Sequence, residues 1–309
     1  MSRFHPNYFL LMGIPGLEHY HLQLSILFFI MYVLSLIGNS ILFLVIAITE
    51  SLQQPMYLFL MMLSVGDILL SSSTVPKTLS IFWFGSNLIS FNGCLMQIFF
   101  IHFICMTESA ILLAMAYDRY IAICHSLTYV TRLTTGFIRA VMVISVARSV
   151  VIIIPVILLL RRLPYQKSIV IEHTYCEHMA MARLATANIM VNIIYGVVII
   201  VCTSVIDLLL IGMSYVAIIQ AVLKLSSSAA RHKTFSTCVS HICVIILLYV
   251  PAFFSFITHR IPHNHIPAYV HILVANLYVL VPPMMNPIIY GVRTKEIRQR
   301  VFQLLFGKK

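Results

Sequence analysis

The chain alternates long apolar stretches with short polar connectors. Leu22 to Thr49 contains no charged residue. A second apolar run extends from Pro55 to Ser80 and is interrupted by Asp67 and Lys77; a third, Cys94 to Cys124, holds Glu108 and carries Asp118, Arg119 and Tyr120 near its end. The fourth covers Phe137 to Leu160 with Arg148 inside, and the fifth Asn188 to Leu223 with Asp207 inside. The sixth is Thr234 to Thr258 and the seventh Pro267 to Tyr290. A helix needs ~20 mostly apolar residues to cross a bilayer, and every run is that long or longer. None has the in-out alternation of a barrel strand. Beyond them, Ile297, Val301, Leu304 and Leu305 fall at helical spacing with Lys295, Arg298 and Arg300 between. That pattern predicts a short amphipathic helix on the inner leaflet, where basic residues meet anionic lipid. The expected fold class is an all-α membrane protein. It is read as one seven-helix unit over 1–309, with an N-terminal segment 1–21, a bundle 22–290 and an amphipathic tail 291–309.

Composition narrows this further. Charged residues are 9% of the 309 positions and hydrophobic ones 61%, where a soluble domain carries roughly 25% charge. Too few charges remain to cover a soluble surface, and disorder needs the opposite balance. The formal charge of +11 would suggest nucleic acid in a soluble protein. Here the cations sit in short loops and the tail, where they set topology. Arg119, Arg132 and Arg139, then Lys224, Arg231 and Lys233, then the tail cations fall on one side. They outnumber Arg3, Arg161, Arg162, Lys167, Arg183 and Arg260 on the other. The expected orientation is C-terminus cytoplasmic and N-terminus outside. The first 21 residues lack the apolar core and small-residue cleavage site of a signal peptide. The first span is therefore expected to serve as its own insertion signal.

Five motifs then carry a resemblance. Met115-Ala-Tyr-Asp-Arg-Tyr-Ile-Ala-Ile-Cys124 ends the third span, and Lys233-Thr-Phe-Ser-Thr-Cys-Val-Ser-His241 begins the sixth. Pro55-Met-Tyr-Leu-Phe-Leu60 opens the second, and Pro283-Met-Met-Asn-Pro-Ile-Ile-Tyr290 closes the seventh. In this order they resemble the vertebrate odorant receptors of the rhodopsin-like G-protein-coupled receptors. Gly13-Ile-Pro-Gly-Leu-Glu18 is similar to the class I, or fish-like, branch. The resemblance covers essentially the whole chain. It implies a small-molecule odorant as ligand and a stimulatory heterotrimeric G protein as partner. It also implies a plasma-membrane location, in olfactory cilia, and no enzymatic activity.

The same resemblance assigns roles to the polar residues of the bundle. It groups Asp67, Glu108 and Asn286 around a pocket that holds sodium in many rhodopsin-like receptors. Two neighbouring acids do not both ionise cheaply without a cation, so a sodium ion or a shared proton is expected. No other cofactor is expected. Asp118 and Arg119 become an activation switch, with Tyr215 and Tyr290 rearranging near Arg119, and Arg119 and Lys233 facing the G protein. Pro251 and Pro287 would kink their helices, since each removes a backbone donor. Tyr249, close to Pro251, is placed to sense ligand. Asp207 is read as a structural, hydrogen-bonded acid. Cys94 and Cys176 match the family's disulfide, both on the oxidising side, and the other five cysteines read as small hydrophobes.

Two departures stand out. Tyr165-Gln166 and Ala185-Thr186-Ala187 stand where the family carries a further cystine, so the loop between spans four and five is expected to be looser. No Asn-x-Ser/Thr sequon occurs in the chain.

For the ligand, Arg260, His102 and His178 are the candidate polar anchors. Met106, Met179, Ile199, Ile200, Phe253, Phe256 and Val279 are the apolar wall, and Thr203 and Asn276 are minor polar groups. An Arg fork matches a carboxylate in two parallel hydrogen bonds, so an aliphatic carboxylic acid held by Arg260 is the expected class. An amine would find no carboxylate in the outer half of span three. A channel or duplicated transporter should show repeats or charge rings, and none is evident. His259, His263 and His265 could bind a metal, but no Cys or carboxylate joins them. A retinal Schiff base needs a Lys that Pro267 to Tyr290 lacks.

Overall fold

The computed structural model describes residues 5–165, 168–224, 227–258 and 267–307. Seven helices among them are long and apolar enough to cross a membrane. Spans one to four are His21–Ile48, Pro55–Phe84, Phe91–Cys124 and Thr135–Arg161. Span five is Met190–Leu223, spans six and seven are Ser228–Thr258 and Ala268–Arg293, and a tail helix follows at Lys295–Phe306. Apolar side chains such as Ile26, Ile30, Ile37 and Leu44 of span one face outward. In lipid this is the favoured side for them, because the helix satisfies its own backbone internally.

Most ends differ from the sequence expectation by about a turn or less, while span six begins six residues earlier, at Ser228 rather than Thr234. Span two passes Ser80 and stops at Gly85, whose φ of 61° takes the left-handed cap conformation that glycine adopts without a side-chain clash. Lys77 Nζ donates to Ser86 O and Leu88 O, both at 2.7 Å, so this in-span cation fixes the turn into span three. Span five contains a π-helical turn, Val201–Val205.

Proline sites in span seven are compensated from span one. Pro287 has no N–H to give the carbonyl one turn back, that of Pro283. Asn39 Nδ2 donates to Pro283 O at 2.8 Å instead. The helices meet closely: a Cβ on Gly38 would lie 2.8 Å from the Pro287 ring. Exchanging Gly38 for Val should therefore push the two spans apart and lower the detergent melting temperature by several degrees. Overpacking of this kind costs ~1–3 kcal/mol.

One element has no counterpart in the sequence expectation. Tyr8–Leu11 (β1) is the middle of a three-stranded sheet, antiparallel to Leu88–Ser90 (β2) and parallel to Val170–Ile171 (β3). The following Gly13-Ile-Pro-Gly16 turn needs its glycines. Both have φ above 80°, and a Cβ on Gly13 would press on His21 and Phe82.

The Cys94–Cys176 disulfide joins the start of span three to the loop after span four, as the resemblance implied. It closes 82 residues of sequence separation. Cys176→Ser should lose ~2–5 kcal/mol, read as loss of surface-delivered protein. The second expected difference in this loop takes a physical form. Thr186 N donates to Pro164 O at 3.1 Å, so the two positions read as lacking a cystine lie side by side. Tyr165 is buried and donates to Leu160 O at 2.9 Å. Backbone bonds and an aromatic plug thus hold the loop that the missing cystine predicted to be looser.

Candidate functional site

A cavity of about 150 Å³ opens between spans three, five, six and seven, under the loop that carries Cys176. His102, Met106, Ile199, Ile200, Thr203, Tyr249, Phe253 and Phe256 all line it. Each was expected there. The π-helical turn changes the facing of span five at this level, so Thr203 and Ser204 both reach the cavity. A π turn of this kind is often found at functional sites. His178 and Met179 line an adjoining chamber of about 70 Å³, which shares His102, Met106, Ile199, Ile200 and Phe256 with the first. A larger groove of about 620 Å³ lies between spans three, four and five. It extends toward the Arg119 end, where Tyr117, Tyr120 and Phe137 line it.

Two expected wall residues are placed elsewhere. Asn276 Nδ2 donates to Ile272 O at 2.7 Å, and its Oδ1 accepts from Thr174 Oγ1 at 2.8 Å. Its amide is used up holding the loop to span seven. Val279 is packed with Leu70, Ile101 and Ile104. Neither residue lines the cavity. Arg260 and His259, His263 and His265 lie outside the described residues, as does the Lys233 side chain. Among the described residues no group of three or more His, Cys, Asp and Glu could hold a metal ion.

The floor of the cavity is polar and tied to a buried ion pair. Tyr249 and Ser109 share a hydrogen bond of 2.7 Å, and Ser109 Oγ donates to Asp207 Oδ2 at 2.7 Å. Arg148 meets the same carboxylate with both terminal nitrogens, Nη1 at 2.9 Å and Nη2 at 2.7 Å. Spans three, four, five and six are joined by this one network. Asp207 is thus more than a hydrogen-bonded acid. It neutralises Arg148, which the sequence had left as a bare charge in span four. A bidentate Arg–carboxylate pair is the strong form of this contact, and isolated charges there are costly.

Glu177 was also missed. It lines both chambers. Its Oε2 accepts from Ala180 N at 2.6 Å, capping the short helix His178–Arg183. A capping acid at the start of a helical run was a signal available in the sequence.

Deeper in the bundle, Asn286 Nδ2 donates to both oxygens of Asp67, at 3.1 and 3.0 Å. Glu108 packs beside them: a Cβ on Gly66 would stand 2.8 Å from Glu108 Oε1. Glu108 Oε1, Asn286 Oδ1 and the Tyr290 hydroxyl are buried without a hydrogen-bond partner. At the far end, Asp118 accepts from the Tyr129 hydroxyl at 2.9 Å, and Arg119 Nε stands 3.7 Å from Asp118 Oδ2. Burial first, and then the Asp118 carboxylate, pushes the Tyr129 hydroxyl well above the usual tyrosine value. It stays a donor at neutral pH. Tyr215 bonds His241 Nδ1 at 2.6 Å, which ties span five to span six. Leu127, in the loop after span three, is fully exposed, and Val130 is 80% exposed.

This geometry resembles a ligand chamber at one end and a polar latch at the other. The backbone is similar to squid rhodopsin, with a TM-score of 0.76 over 94% of this chain and 86% of that one, at 16% identity. That likeness concerns the fold. The olfactory receptor family model matches residues 28–308. The chain belongs to the olfactory receptor family. Among curated olfactory receptors, human olfactory receptor 52D1 is 54% identical over 300 residues, 97% of this chain and 94% of the relative. Human olfactory receptor 52B2 is 52% identical over 306 residues, 99% and 94%. The receptor is therefore a multi-pass membrane protein and a G-protein-coupled signalling receptor, not an enzyme. The 52-type relatives agree with the class I reading of the Gly13-Ile-Pro-Gly motif.

Proposed function

We propose that the receptor binds a small aliphatic carboxylic acid from outside the cell and raises cyclic AMP through a stimulatory heterotrimeric G protein. The observation that carries the ligand size is the cavity. About 150 Å³ is below the roughly 300 Å³ at which drug-sized pockets begin. Its walls are largely aliphatic and aromatic, which suits a short hydrocarbon chain. Arg260 is the anchor on charge matching: its guanidinium fits a carboxylate in a bidentate pair. In a cyclic-AMP reporter assay, Arg260→Ala at normal surface expression is expected to lose the response to acids. A normal response would end the anchor assignment. Glu177 gives the opposite reading, an amine ligand, its best opening, because it is an acid at the cavity wall. Amines of equal chain length are the arm that separates the two.

In this reading the N-terminus is outside and the C-terminus cytoplasmic, in the plasma membrane of olfactory cilia. The acid contracts the chamber around Tyr249 and Arg260, and the inner end of span six swings outward. Arg119 and Lys233 then face the G protein. The exposed Leu127 supplies an apolar contact beside them. Burying a Leu is worth ~1.5–3 kcal/mol, so Leu127→Ala should weaken coupling about tenfold while leaving ligand potency in binding assays unchanged. Asp67, Glu108 and Asn286 offer the oxygen donors that a sodium ion, or a proton shared by the acids, would need. The orphaned Glu108 oxygen fits either. Replacing sodium by choline should lower the melting temperature of the purified receptor if the ion is held, and leave it unchanged if a proton is shared.

A further inference from the structure

The N-terminal segment pairs with the loop that walls the cavity, and its backbone is engaged on both edges. Leu10 N donates to Ile169 O at 2.8 Å, Met12 N to Ile171 O at 3.0 Å and Gly13 N to His173 O at 3.2 Å. On the other edge Leu11 N donates to Asn87 O at 2.9 Å, and Asn7 O accepts from Phe91 N at 3.1 Å. Phe9 and Leu11 are fully buried. The Phe9 ring meets Tyr165 edge-on at 5.5 Å and Phe91 at 5.9 Å, so it pins β1 against both the loop and span three.

Two residues beyond the last of these bonds, the chain enters Tyr175-Cys176-Glu177, which lines the cavity. That run has its own fixed points. Thr174 is bonded to Asn276, the Tyr175 hydroxyl donates to Ala275 O at 3.2 Å, and Cys176 N donates to Gln97 Oε1 at 2.8 Å. The approach to it, 169–173, receives backbone bonds from Leu10 of β1 and from Met12 and Gly13 just after it. A strand between two neighbours cannot leave without unpairing both edges.

We infer that β1 is the central stave of a lid over the ligand cavity and that Phe9 is a positioning residue for Tyr175, Cys176 and Glu177. The inference rests on the cavity being the ligand site, and it makes the extreme N-terminus a determinant of odorant potency without any contact to the odorant. The native thiol of Cys105, which lines the cavity, reports on the lid without an odorant.

The test compares wild type with Phe9→Ala, Phe9→Leu and Met12→Pro at matched surface expression. Met12 is exposed, so its proline variant removes the N–H to Ile171 O with little loss of packing. Cys105 is labelled by hydroxyl radicals generated in the outer aqueous phase, which attack the neutral thiol, and the product is followed by peptide mass spectrometry. Straight-chain acids then give dose–response curves. Phe9→Ala and Met12→Pro should label about tenfold faster, since labelling follows the open population of the lid. Acid potency should fall several-fold with maximal and basal signals kept, and Phe9→Leu should return both readouts close to wild type. Unchanged labelling in Phe9→Ala and Met12→Pro overturns the inference. Faster labelling with no response to any acid keeps the lid and rejects the acid ligand instead.

Discussion

Asp207→Leu and Arg148→Met, made singly, should each nearly abolish delivery of the receptor to the cell surface. Asp207 is buried, and its carboxylate takes two charged bonds from Arg148 and one from Ser109. Removing either partner strands the other charge within the membrane. Breaking such a pair costs ~3–5 kcal/mol, a large share of the 5–15 kcal/mol that typically holds a domain together. The 27% of the Arg148 side chain that is accessible borders the groove between spans three, four and five. The double variant Arg148→Met with Asp207→Leu replaces the pair by apolar groups and should recover most of the folded protein. Fluorescence-detected size exclusion after heating reads this directly. A double variant whose loss equals the sum of the two single losses would mean that the pair contributes nothing.

Tyr249→Phe should behave in the opposite way, reaching the surface but responding with much lower potency. The change removes one hydroxyl, and the lost bond to Ser109 is worth only ~0.5–1.5 kcal/mol in stability. Among the described residues, the same hydroxyl is the one point at which the cavity floor on span six is bonded to the Ser109–Asp207–Arg148 network. A ligand moves a conformational equilibrium only by its differential affinity for the two states, and couplings of this kind run ~1–3 kcal/mol. The expected loss of potency is about tenfold or more at normal expression. Ser109→Ala should give a similar loss with a larger stability cost, because it also leaves one Asp207 oxygen without its hydroxyl donor. A Tyr249→Phe receptor with wild-type potency and maximum would remove this floor from the signalling route.

The seven spans were legible because length and lack of charge decide them, and the bilayer admits few alternatives. The chamber residues on spans three, five and six were legible because fixed motifs place those spans in register. What escaped was pairing at a distance. Asp207 and Arg148 stand in different spans, and the sequence shows only two opposite charges in the membrane, although the cost of leaving them apart argues for a pair. Asn276 was misplaced because its facing on span seven says nothing of Thr174, which the loop brings to it. Strand β1 is four residues long. A strand that short is chosen by its neighbours on both edges rather than by its own pattern. The π-helical turn that brings Ser204 beside Thr203 likewise leaves no periodic trace.

The most direct test of the account is a cyclic-AMP dose–response series over straight-chain carboxylic acids of increasing length, with alcohols and amines of the same length beside them. The account predicts that acids alone are strong agonists and that potency rises by up to about fourfold per CH2, from ~0.8 kcal/mol at most for each buried methylene. The rise should stop and reverse once the chamber is full. Silence to every acid, with a clear response to amines, would contradict it.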